Sequence, residues 1–120
     1  MALMQLAGRD GRDGRAMGGV PVLSDTVCGL VTVSSTSVEL MADAGGSRLA
    51  GRRRLIVQPT DGAIWICPIP GTAAVKQSNT LKYASGSIVE FFFPDDGDDV
   101  AINAIYDSVD VKVMCWEQTG

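Results

Sequence analysis

The chain has 120 residues, of which 46% are hydrophobic and 20% charged, and a formal net charge of −4. That is enough for one domain with its own core, and it is not the composition of a disordered chain. No apolar run approaches the roughly 20 residues of a membrane-spanning helix, and an acidic balance suits general nucleic-acid binding poorly, because that binding rests on neutralising phosphates.

The start, MALMQLAGRD, lacks a basic leading region, and Gln5 interrupts its apolar stretch, so it does not read as a secretory signal. Residues 1–19 hold five of the 14 glycines and the repeat GRDGRDGR. Glycine loses much conformational freedom on ordering, and no apolar periodicity offsets that cost. The expectation is a flexible Gly/Arg-rich arm over residues 1–19 and a β-domain over residues 20–120.

From Val20 onward the chain reads as strand. Val27–Val33 is rich in β-branched residues, and Val38–Met41 is a short strand before the small-residue loop Ala42–Gly51. Arg53–Gln58 and Ala63–Cys67 are two strands around Pro59-Thr-Asp-Gly62, a connection with the composition of a hairpin turn. Thr80–Tyr83, Ser87–Phe93, Val100–Tyr106 and Asp110–Trp116 follow, with turns at Ser85-Gly86 and Asp107-Ser108. Seven or eight short strands at regular turn spacing, without a convincing helix, predict an all-β, antiparallel sandwich or barrel. All seven aromatics lie after residue 64, so the later strands are expected to supply most of the bulky core.

Strand alternation makes specific predictions. In the last strand Val111, Val113 and Cys115 share one face, and Lys112, Met114 and Trp116 the other. Arg52 and Arg54 share a face, with Arg53 opposed. Phe92 points away from Phe91 and Phe93, so either both faces of that strand are covered or one meets a partner.

The residues for catalysis are sparse. There is no histidine, which removes Ser-His-Asp and Cys-His chemistry and the commonest zinc ligand. Cys28, Cys67 and Cys115 are odd in number and far apart, without CxxC spacing; small buried hydrophobes in a reducing compartment describe them best. Asp95, Asp96, Asp98 and Asp99 crowd one loop. They could attract a hard cation but do not match an EF-hand, and a solvated acidic loop is the simpler reading. No catalytic residue, cofactor or metal site is assigned.

Charge is uneven. Residues 1–54 carry seven basic and five acidic groups, and residues 55–120 three basic and nine acidic. Complementary faces of this kind can meet between copies of one chain or on a larger assembly, or merely keep a mixed surface soluble. Arg52, Arg53 and Arg54 are the one basic cluster. They are candidates for a protein contact or for the charge that protects an edge strand. Phe91, Phe92 and Phe93 are the matching apolar candidates.

The order of motifs resembles a known family. Val38-Glu-Leu leads to Leu49-Ala-Gly-Arg-Arg-Arg-Leu-Ile-Val-Gln, an Asp-Gly turn and Ile-Trp-Ile. Gly86-Ser-Ile-Val-Glu-Phe, Asn103-Ala-Ile-Tyr and Val109-Asp-Val-Lys-Val-Met-Cys-Trp-Glu follow. Over residues 36–117 this resembles the small all-β domain of virion proteins of tailed bacteriophages, including capsid decoration (cement) and head-fibre-like proteins. Cys67-Pro-Ile-Pro70 and the Gly/Arg arm depart from that pattern. The resemblance implies a non-enzymatic structural protein of the virion, assembled in the bacterial host cytoplasm. Its partners would be the major capsid protein and copies of itself, a trimer among the options, with no nucleic acid and no membrane. The alternative is a tail, neck or fibre-associated host-binding module.

Overall fold

A computed structural model describes residues 25–94 and 100–120. The proposed arm and the acidic loop Asp95–Asp99 lie outside the described residues. The described residues hold eight strands: β1 (Thr26–Val33), β2 (Val38–Glu39), β3 (Arg52–Pro59), β4 (Ile64–Cys67), β5 (Leu81–Tyr83), β6 (Val89–Phe92), β7 (Asn103–Tyr106) and β8 (Val111–Thr119). They form two antiparallel sheets of four, in the orders β1-β8-β3-β6 and β2-β7-β4-β5. The all-β sandwich expected from the sequence is therefore the fold.

The topology follows one rule. β4 pairs with β5, β3 with β6, β2 with β7 and β1 with β8. The chain is one long antiparallel hairpin, folded over so that its successive pairs fall alternately into the two sheets. This is the winding of a jelly roll. Only the β4–β5 link stays within a sheet; every other link crosses the sandwich.

This corrects the reading of Pro59–Gly62 as a hairpin turn. β3 and β4 lie in opposite sheets and are not paired. Pro59 has no N–H to continue a ladder. The Thr60 N–H (2.9 Å) and hydroxyl (2.7 Å) both donate to the Lys112 carbonyl, and the Asp61 carboxylate accepts the Lys112 N–H at 2.8 Å. Those bonds tie the corner to the start of β8. The Asp107-Ser108 connection is likewise a corner between sheets, joining β7 to β8.

The core lies between the sheets and is mainly aliphatic. Val31, Val33, Leu40, Leu55, Val57, Ile64, Ile66, Ile102, Val111 and Val113 are buried, with Ala104 and Cys115. Early strands contribute as much as late ones. Among the aromatics only Phe93 is buried; Phe91, Tyr83 and Tyr106 pack partly against the core. Strand alternation turns Trp65 and Trp116 outward, because their neighbours Ile64, Ile66 and Cys115 take the inner positions.

The cysteines divide. Cys67 and Cys115 are buried, as expected, but Cys28 is exposed, because Gly29, Val31 and Val33 take the inner positions of β1. Burial pushes the Cys115 thiol up to about 12, so little reactive thiolate forms there at neutral pH. In native protein one thiol, Cys28, is expected to react promptly with a thiol reagent, with Cys67 and Cys115 following only on unfolding. Prompt reaction of Cys28→Ser protein would contradict this assignment.

A candidate assembly face

The arginine run does not alternate simply. The register shifts between Arg52 and Arg54: Arg52 sits opposite Thr119 and Arg54 opposite Gln118. A bulge at this point places one extra residue in β3 and reverses the side on which Arg52 falls. Arg52 and Arg54 therefore point to opposite faces, contrary to the spacing argument. Arg52 is wholly buried, Arg53 exposed and Arg54 half-buried.

Arg52 meets Glu117, also buried, with Nη1 3.3 Å from Oε2. It donates from Nη2 to the Val100 carbonyl, and its guanidinium lies 5.0 Å from the centre of the Phe93 ring. Burial lowers the Arg52 pKa, and the charge of Glu117 opposes that shift. Glu117 also accepts the backbone N–H of Ala42 (2.8 Å) and of Leu49 (2.6 Å). One carboxylate thus fixes both ends of the loop between β2 and β3. Arg53 donates to the carbonyls of Phe93 (3.0 Å) and Pro94 (2.7 Å). Arg52 and Arg53 therefore hold the chain on either side of residues 95–99, with burial keeping Arg52 and Phe93 off the surface. Arg54, Phe92 and part of Phe91 remain accessible.

The outer face of the β1-β8-β3-β6 sheet carries a group of exposed apolar side chains. In cross-strand rows it reads Thr26, Gln118, Arg54, Phe92; then Cys28, Trp116, Ile56, Glu90; then Leu30, Met114, Gln58. Ile88 extends the last row, one residue before β6. Leu30 (49%), Trp116 (42%), Ile88 (66%) and Phe92 (68%) are substantially exposed. Around this centre lie Arg54, which pairs with Glu90 (3.0 Å) and covers Phe92 (5.4 Å), and also Gln118 and Lys112. An apolar centre with tryptophan and methionine inside a polar, arginine-containing rim has the composition of a protein interface.

The other sheet is finished differently. Trp65, on its outer face, donates its indole N–H to Asp107 (3.0 Å), and Lys82 lies over the ring at 5.8 Å. Among the described residues the Trp116 indole N–H has no acceptor. Among the described residues, then, one tryptophan is capped by its own chain and the other is not. The Asp107 carboxyl is held below its usual range, first by the Trp65 hydrogen bond and then by the charge of Lys82 and Lys76. A depressed carboxyl pKa stabilises the fold above the unfolded value and loses that contribution as pH falls through the folded value. The melting-temperature gap between wild type and Asp107→Asn should therefore close below about pH 4. A gap that persists in acid would contradict this.

No group of three or more potential metal ligands exists among the described residues. Among the described residues no helix is long and apolar enough to cross a membrane.

No protein-family model matches the chain, and no curated protein matches it. A chain from a structure of Bacillus endospore appendages, described as a novel family of disulfide-linked pili, superposes with a TM-score of 0.48 at 14% identity. The match covers 80% of this chain and 84% of that one.

The sequence located Phe92 and the outward Lys112-Met114-Trp116 row by alternation alone. It missed Leu30, Cys28 and Ile56 as their neighbours, because the pairing of β1 with β8 and of β8 with β3 joins segments distant in sequence. It also missed Glu117, which continues the inward row of Val111, Val113 and Cys115 by the same period of two.

Proposed function

We propose that this protein is a non-enzymatic structural subunit of a tailed-bacteriophage virion, binding the capsid surface as a decoration or cement protein. The observation that carries the reading is the open apolar face around Trp116. A sheet already buried on its inner side by Leu55, Val57, Val111 and Val113 presents a second apolar side to solvent. Assembly covers such a face. The motif resemblance over residues 36–117 supplies the virion context.

The test is co-sedimentation of purified protein with capsids that lack it, followed by localisation in a particle map. Saturable binding at symmetric lattice positions is expected. Absence from capsids, with binding instead to host cells, would favour the host-adhesion alternative. Deletion of residues 1–19 addresses the arm: reduced occupancy is expected, and unchanged occupancy would remove its role in attachment.

A further inference from the structure

We infer that the outer face of the β1-β8-β3-β6 sheet is a twofold interface between two copies of this chain, stacked face to face with the axis along the strands between β8 and β3. This rests on reading the face as an assembly surface and specifies what covers it.

The order of the sheet makes the face complementary to itself. Rotation about that axis lays β1 over the partner's β6, and β8 over the partner's β3. Within each row the residues then meet in opposed positions. Trp116 comes over the partner's Ile56, Leu30 over the partner's Ile88, and Thr26 over the partner's Phe92. Each contact occurs twice, as an isologous interface requires. Arg54 comes over the partner's Gln118 and Glu90 over the partner's Cys28, so no two like charges face one another. Lys112 comes over the end of the partner's β3, where Asp61 lies. The other in-plane axis, across the strands, lays each strand over its own copy with the rows reversed, and so sets the Glu90 carboxylate over the partner's apolar Ile88.

Size is compatible with a modest dimer. Four strands about 4.8 Å apart and eight residues of about 3.3 Å each give a flat footprint of roughly 500 Å². Stable interfaces bury about 800 Å² of accessible surface per partner. A corrugated face exposes more than its flat footprint, and Phe92, Ile88 and Trp116 stand out from it. Such a pair lies at the lower end of the range, so association depends on concentration.

The experiment is sedimentation of the full chain over a concentration series, with folding of each variant checked by circular dichroism and thermal melting. Wild type should reach a dimer. Trp116→Lys should weaken self-association at least about 30-fold, as expected for a central tryptophan anchor worth about 2 kcal/mol or more. Leu30→Glu and Ile88→Lys should each be monomeric alone, because each places two charges on apolar partners. Mixed together they should form a heterodimer: one contact then pairs glutamate with lysine and its symmetry mate stays wild type. Within one chain Leu30 and Ile88 lie on strands at opposite edges of the sheet, so the rescue cannot be internal.

A mixture that stays monomeric would overturn the stacking geometry. A wild type that is monomeric at hundreds of micromolar, while Trp116→Lys loses capsid binding, would assign the face to another virion protein and leave the assembly reading standing. An oligomeric state unchanged by Trp116→Lys would also overturn the proposal, since copies would then associate through another face or not at all. Failure of capsid binding together with intact dimerisation would remove the virion reading alone.

Discussion

Replacing Glu117 by alanine is expected to destabilise the fold by about 3–5 kcal/mol, the usual result of removing one member of a buried ion pair. Three groups lose their acceptor at once: the Arg52 guanidinium and the backbone N–H groups of Ala42 and Leu49. Arg52 is wholly buried and the two N–H groups are part-buried, so a desolvation cost that had been offset is exposed, most of all at the guanidinium. Domains of this size have only about 5–15 kcal/mol to lose. Urea unfolding of Glu117→Ala should therefore shift far to lower denaturant, and loop residues 42–49 should gain hydrogen exchange before the rest. Glu117→Gln keeps an amide oxygen for one backbone donor and should fall between. Replacing both partners with apolar residues, as in Arg52→Met with Glu117→Leu, should recover much of the loss by removing the buried charges together. A Glu117→Ala protein within 1 kcal/mol of wild type, with unchanged exchange in the loop, would show that the pair does not hold the fold as described.

The second large effect concerns Gly29. A Cβ at this position would lie 2.2 Å from the Ala42 carbonyl oxygen, well inside contact distance and against backbone rather than a flexible side-chain end. The backbone conformation of Gly29 is not left-handed, so the glycine is needed for space alone. Gly29→Val should cost at least the 1–3 kcal/mol typical of forced overpacking. The loop has to move away from β1, and in doing so draws the Ala42 N–H from Glu117. The two substitutions thus act on one feature, and their effects should fall short of additive by 1 kcal/mol or more in a double-mutant cycle. Full additivity would mean that the loop yields at Gly29 without disturbing the carboxylate.

Much of this architecture was legible in the chain because strand alternation is local. The inward row Val111, Val113, Cys115, the outward Phe92 and the turn at Gly86 depend only on neighbours in sequence. The sheet partners were not legible in the same way. Pro59-Thr-Asp-Gly62 has the composition of a hairpin turn, yet its donors and acceptors are taken up by Lys112, some fifty positions away. Arg52 shows the same limit. Three arginines in a row read as surface charge, and only a bulge against Thr119 and Gln118 turns the first of them inward. The candidate face was half visible for that reason. Its β8 row follows from periodicity, whereas the juxtaposition of Leu30, Trp116 and Ile56 exists only once distant strands are paired.

The nesting of the strands also sets an order in time. Among the described strands β1 is made first, and its partner there, β8, is the last of them, with Thr26 opposite Gln118. A ribosome delivers that partner only after the six strands between them. Until then the apolar strand Thr26–Val33 has no edge to join among the described strands, while β4 and β5, close in sequence, can already pair. Closure of this sandwich is therefore dominated by non-local pairing, which is intrinsically slow. A chain cut before Glu117 loses that carboxylate together with two of the eight residue pairs that seat β1.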